Sequence, residues 1–327
     1  MKLNSKLGIA VILLSATIGI GVKVVQSPTG GNPTALAPVN ASPRPAAAQP
    51  HSSQMPKQDL VKWQPLLDDS LSAQERLALT DGIREGTTLE EVAFLFAALD
   101  HQPLAGTEEQ WWVVMNEIME RLRKQGLGAD QYSIRMEAVA DDSKRPEVVR
   151  DYAIQHLLQW LSPANPQVFP GESDPQQRKH SLQLVTRIIR DPSLRHSSIP
   201  GTALLALADA STRLPQGEVT PLWDELDSYL APLCAGGSDA SLALHVSAIQ
   251  AAALMGRTAH LPAVRSLAMN VAADPSLRLT SIAALGLYGA ESSRRFLESI
   301  NRDGGSFSYA AKSAIDRLDQ HLAANAK

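Results

Sequence analysis

Cysteine is almost missing: the 327 residues hold one, Cys234. A disulfide framework is therefore excluded, as is any metal or iron–sulfur site built from several thiolates. A basic excess is missing too. Net charge is −4, with 30 basic and 34 acidic side chains, which argues against a generic nucleic-acid binder that must neutralise phosphates. No acidic residue precedes Asp59 and no aromatic precedes Trp63. Phosphate-cradling glycine loops, His-Glu-x-x-His pairs and Gly-x-Ser-x-Gly elbows do not occur, so nucleotide, zinc-hydrolase and serine-hydrolase chemistry find no support. What is present is apolar bulk, 44% of residues, which excludes wholesale disorder and suffices for a sizeable core.

The amino-terminal region is set apart by composition. Lys2 and Lys6 precede an uncharged apolar run from Leu7 to Val22, extended to Val25 if Lys23 snorkels. This layout is expected to be a signal anchor over residues 1–26, crossing a membrane through residues 7–25. The alternative is a cleaved signal, but Ala35-Leu36-Ala37 lies late for cleavage and Pro38 follows it. Lys2 and Lys6 place the start in the cytoplasm, and hence the remainder outside it. Residues 27–58 hold seven of the 21 prolines among Ala, Ser, Gly and Gln, the composition of a disordered tether. Residues 1–58 carry five basic side chains (Lys2, Lys6, Lys23, Arg44, Lys57) and no acidic one. The body therefore has 25 basic against 34 acidic, a net of −9.

From residue 59 the signals are helical. Ser72-Ala-Gln-Glu75, Thr88-Leu-Glu-Glu91 and Thr107-Glu-Glu-Gln110 each read as a capping box. Pro stands where a first turn would begin after Arg145, Asp174, Asp191, Thr220 and Asp274. Apolar residues recur at three and four, as in Ile154, Leu157, Leu158 and Leu161, and no alternating β-branched run appears. The expectation is an all-α protein of about a dozen short helices: an N-terminal helical region over 59–139, then helical repeats over 140–327. A frame of aliphatic, basic, two variable, small and Ile recurs. It fits Val149-Arg150-x-x-Ala153-Ile154, Leu194-Arg195-x-x-Ser198-Ile199, Leu244-His245-x-x-Ala248-Ile249 and Leu277-Arg278-x-x-Ser281-Ile282, with a degraded copy at Ala310–Ile315. Pro200 and Gly201 interrupt the second copy, so its helix starts late or kinks.

These residues resemble HEAT-type helical repeats. The clearest stretch is Asp274-Pro-Ser-Leu-Arg-Leu-Thr-Ser-Ile-Ala-Ala-Leu-Gly286, with Ala248–Gly256 similar to it. It resembles the short HEAT variant found also in bilin lyase-like proteins, and is clearest over residues 240–320. The resemblance implies an α-solenoid of helical hairpins, a partner-gripping scaffold, and a basic repeat position bonding acids of the neighbouring hairpin. Arg150, Arg195, His245 and Arg278 share that position, as a structural ladder or a partner-binding stripe. Adjacent helix residues point about 100° apart, so one of Trp111 and Trp112 is expected at the surface as an interface anchor. Scattered histidines and a lone Cys234 supply no catalytic constellation. The expected function is a membrane-tethered, extracytoplasmic scaffold that binds a protein or peptide, and is neither an enzyme nor a nucleic-acid binder and needs no cofactor. The alternatives are a lyase-like or hydrolytic enzyme in the groove, and a homo-oligomeric envelope component.

Overall fold

Helix formation here is explained by caps and apolar stripes, and the computed structural model describes it for residues 62–164, 171–172 and 174–325. The chain divides into two compact units, Met1–Gln54 and Met55–Lys327. The first holds the expected anchor and most of the expected tether, and it lies outside the described residues. Within the second, the described residues form thirteen α-helices and no strand. They are α1 (Ala73–Thr80), α2 (Leu89–Ala98), α3 (Glu108–Arg123), α4 (Ser133–Asp141), α5 (Glu147–Leu161), α6 (Pro175–Arg190) and α7 (Ile199–Ser211). There follow α8 (Gln216–Cys234), α9 (Leu242–Leu254), α10 (Leu261–Met269), α11 (Pro275–Leu287), α12 (Arg294–Arg302) and α13 (Ser308–Asn325).

Local chemistry sets most of the boundaries. Ser72 and Thr88 form complete capping boxes with Glu75 and Glu91 at the starts of α1 and α2. Thr107 does not, because its hydroxyl donates to the Leu104 carbonyl at 2.8 Å instead. Asp174 and Asp274 cap α6 and α11 with Pro at the first helical position, where its missing N–H costs nothing. Pro221 departs from expectation: it sits inside α8, which begins five residues earlier at Gln216. The cause is a continuous buried stripe of Val219, Trp223, Leu226, Leu230 and Leu233 at helical spacing. Burying each such side chain is worth about 1.5–3 kcal/mol, enough to offset the lost hydrogen bond.

The helices pack as hairpins in two layers. In one layer α1, α3, α5, α7, α9, α11 and α13 each touch the next in the series. In the other, α2, α4, α6, α8, α10 and α12 each rest on the following member of the first. The core lies between them. The first layer's helices bury a double apolar row, Val114-Met115 with Ile118-Met119 in α3 and Ala153-Ile154 with Leu157-Leu158 in α5. In α7, α9 and α11 the matching pairs are Ala203-Leu204, Ala248-Ile249 and Ser281-Ile282.

The expected membrane placement is corrected here. No helix among the described residues is long and apolar enough to cross a membrane. A span needs about 20 apolar residues. The apolar α7, α9 and α11 have 13 each, and the 19-residue α8 carries Glu218, Asp224, Glu225 and Asp227. The segment 7–25 on which the expectation rested lies outside the described residues. A single-pass protein with its C-terminal domain beyond the cytoplasm is therefore withdrawn as a reading.

Candidate functional site

Three of the four residues assigned to the basic repeat position do the same thing. Arg150 Nε donates to the Ala140 carbonyl at 2.9 Å, and Arg278 Nε to the Ala268 carbonyl at 3.1 Å. His245 Nδ1 donates to the Leu233 carbonyl at 2.7 Å. Each acceptor lies in the last turn of the preceding helix, α4, α10 and α8 respectively, where carbonyls have no intrahelical partner. The expected partners were acids of a neighbouring hairpin; the observed partners are helix-end carbonyls.

Arg195 is the exception, and the frame at 194–199 is a misregistration. Arg195 precedes α7, pairs with Asp239 at the surface, and its Nε donates to Pro192 O at 3.1 Å. The buried pair Ala203-Leu204 places the true copy five residues later, as Ile199-Pro200-x-x-Ala203-Leu204. Pro200 then holds the basic position and has no side-chain donor.

Trp111 is corrected as an interface anchor. It is 1% exposed, with the His101 ring edge-on at 5.1 Å and the Arg76 guanidinium 5.2 Å from its ring. Trp112, one helical step round, is half-buried and packs against the core. Catalytic geometry was sought among the remaining groups. Burial pushes the Cys234 thiol up to about 12, so it stays protonated. His260 Nε2 lies 3.0 Å from Asp227 Oδ1, and that carboxylate is held also by Arg257. Among the described residues no group of three His, Cys, Asp or Glu side chains is placed to hold a metal ion.

Two buried titratable groups sit on α5. Burial raises the Asp151 carboxyl to about 6; it accepts from Ser198 Oγ at 2.5 Å, while its Oδ1 has no partner. Burial lowers His156 to about 4. Its Nε2 meets Asn116 Oδ1 at 3.0 Å, and Nδ1 is unpartnered, 3.5 Å from Glu120.

One stretch of the first layer, α7, α9 and α11, is poor in charge, whereas α3, α5 and α13 of the same layer are not. Helices α7, α9 and α11 contain two Asp, Glu, Lys or Arg residues, Asp209 and Arg278. Asp209 is neutralised by Arg213, and Arg278 lies 4.5 Å from the Phe307 ring. The partly or fully exposed positions of these helices include Leu205, Ala206, Val246, Gln250, Leu254 and Leu279. Helices α6, α8, α10 and α12 contain thirteen such charges. Many are paired between elements, as in Arg178–Glu218, Arg190–Glu225, Arg187–Asp141 and Arg257–Asp224. Composition alone missed this face. Its signal is three Ala- and Leu-rich helices in succession with their exposed positions uncharged.

No family model matches the chain, and no curated protein matches its sequence. Among solved structures it is similar to human deoxyhypusine hydroxylase in complex with glycerol. Identity is 15%, the alignment covers 81% of this chain and 96% of that one, and the TM-score is 0.32. That protein is an enzyme, so the expectation that this chain is not one is withdrawn: helical architecture gives no ground for excluding catalysis. At this TM-score the likeness carries no activity across. What stands is that the described residues form packed helical hairpins without a strand.

Proposed function

We propose that the chain is a HEAT-like helical-repeat adaptor that binds another polypeptide through the outward face of α7, α9 and α11. The observation that carries this reading is the contrast of two charges on those helices against thirteen on α6, α8, α10 and α12. A surface that only has to face water gains from charge. One that must be covered loses least when it carries none. Leu254 and Leu279, 53% and 47% exposed, lie on this face and favour an occupant. The repeated frame and the two-layer packing support the HEAT-like assignment. The body's net charge of −9 and the absence of a basic stripe on this face favour protein over nucleic acid.

The test inserts charge on each layer in turn. Gln250→Glu with Ala283→Glu marks the uncharged face; Lys179→Glu with Glu225→Lys marks the opposite one. Proteins retained by the full-length chain are quantified after confirming equal melting curves. Retention is expected to survive the second pair and to fail with the first. Equal retention by all three proteins would contradict the reading.

A further inference from the structure

One seam in the stack lacks a fastening that the others have. Arg150, His245 and Arg278 tie α5, α9 and α11 to the last turns of α4, α8 and α10. In α7 the same position is Pro200, and among the described residues no side chain donates to a carbonyl in the last turn of α6. The start of α7 is fastened to α5 instead. Ser198 is the N-cap residue of α7, yet its hydroxyl caps nothing in its own helix and donates to Asp151 Oδ2 at 2.5 Å. The Ser198 N–H faces Glu147 Oε2 at 3.4 Å. Asp151 is 8% exposed, and its Oδ1 has no partner.

A fastening made from a buried carboxyl depends on its proton. The neutral acid sits in the seam at modest cost, whereas the carboxylate loses hydration at both oxygens and finds one hydroxyl donor. The positive end of α7 offsets only part of that loss. Glu147, one turn earlier on α5, adds like charge; Arg150 opposes it, but its Nε is committed to Ala140. Helix α7 has no charged residue before Asp209. The charges of the other elements packed on α5 are engaged elsewhere. Glu120 and Arg123 of α3 pair with each other, and Arg135 of α4 lies over Phe96. Glu137 and Asp141 of α4 meet Ser181 and Arg187 of α6, whose Arg178 and Arg190 reach Glu218 and Glu225. Asp191, after α6, accepts from Ser193 and lies near Arg150. His156, further along α5, faces Asn116 and Glu120 of α3, so a gap at α7 leaves it buried.

We propose that the α5–α7 seam is a proton-controlled hinge, closed while Asp151 is neutral and opened at the start of α7 when Asp151 gives up its proton. Opening hydrates the carboxylate and frees the Ser198 hydroxyl. The hinge stands apart from the reading of the α7–α9–α11 face as a partner surface. Burial holds the closed-state carboxyl at about 6 against its ordinary 3.8, so opening releases a proton between those values. It becomes easier as pH rises from 4 to 6 and changes little above that.

Hydrogen exchange of the full-length chain, read by mass spectrometry and divided by intrinsic rates, tests this at pH 4.5 and pH 7. Amides of residues 202–206 should exchange faster than those of α9 and α11, and their protection should fall roughly tenfold or more between the two pH values. Asp151→Asn should abolish that fall. Ser198→Ala should speed exchange of 202–206 at pH 7 and leave α9 and α11 unchanged. Equal protection of 202–206 and α9 would mean that the seam opens only with the whole fold, and would overturn the hinge. So would protection that ignores pH, a fall that persists in Asp151→Asn, or Ser198→Ala behaving as wild type.

Discussion

The two layers solve the problem of stacking helices in different ways. Helices α7, α9, α11 and α13 meet through small residues. A Cβ at Gly286 would lie 2.5 Å from the Ala314 carbonyl oxygen, and one at Gly201 would crowd Ser247. On α7, α9 and α11 the outer surface is short and nearly uncharged, whereas α13 carries Lys312, Asp316, Arg317 and Asp319. Helices α4, α6 and α8 are instead bridged by long ionic side chains, Arg187–Asp141 and Arg190–Glu225 among them. Surface pairs of that kind contribute at most about 1 kcal/mol each. The lesson is a local one: α6 and α8 pair their charges between elements, and the stretch α7, α9 and α11 of the other layer carries almost none.

The largest effect expected from breaking this comparison is at the α5–α7 junction. Asp151 is raised from 3.8 to about 6 by burial, so the native state holds a proton that the unfolded chain has released between those pH values. Its stabilising contribution is full below pH 4 and is lost as pH rises through 6, a swing of about 3 kcal/mol at 1.36 per unit. His156 on the same helix has the opposite sign. Lowered to about 4 by burial, it contributes stability above pH 6.5 that is lost as pH falls toward 4. Asp151→Asn should therefore gain about 3 kcal/mol relative to wild type between pH 4 and pH 7. Urea unfolding across that range checks it, and parallel curves would refute it.

Gly286→Ala comes next. Helix propensity alone would stabilise by about 1 kcal/mol, but the added methyl meets backbone. A net loss of about 1–3 kcal/mol is expected in the same unfolding assay. Gly201→Ala meets the movable Ser247 hydroxyl at 2.8 Å and its Cβ at 3.3 Å, with no backbone atom closer than 3.8 Å, and should cost less than Gly286→Ala. If both glycines behave alike, close approach is not what distinguishes the layer.

Smaller effects sharpen the register. Arg150→Met and Arg278→Met each remove a charged donor from a helix-end carbonyl and should cost about 1.5 kcal/mol. Arg195→Met should cost less than about 0.5 kcal/mol, since Arg195 makes an exposed pair with Asp239. Equal losses at all three positions would restore the original frame. Arg190→Ala in the ionic layer is expected to fall within the same small range as Arg195→Met.

Much of this was legible from sequence. The all-α class, the boxes at Ser72 and Thr88, and the starts at Asp174 and Asp274 follow from local chemistry that acts within four residues. The failures share a different cause. Pro221 looked like a helix start because the local rule ignores the stripe from Val219 to Leu233. The copy at 194–199 fitted because the frame insisted on Ile, whereas packing accepts Leu204 equally well. Trp111 and Trp112 show the same limit: sequence said that they diverge, and only the arrangement of α1, α3 and His101 decided which one the core takes. The run from Leu7 to Val25 and the proline-rich segment stay as expectations of composition.

The central claim is that the charge-poor face of α7, α9 and α11 is the one that meets a partner. A photo-crosslinking amino acid placed singly at Leu205 and at Gln250, and separately at Lys179 and Glu225, tests it most directly in cells expressing the full chain. The account predicts discrete crosslinked species from the first two positions and none from the second two. Crosslinks from Lys179 and Glu225 alone would contradict it.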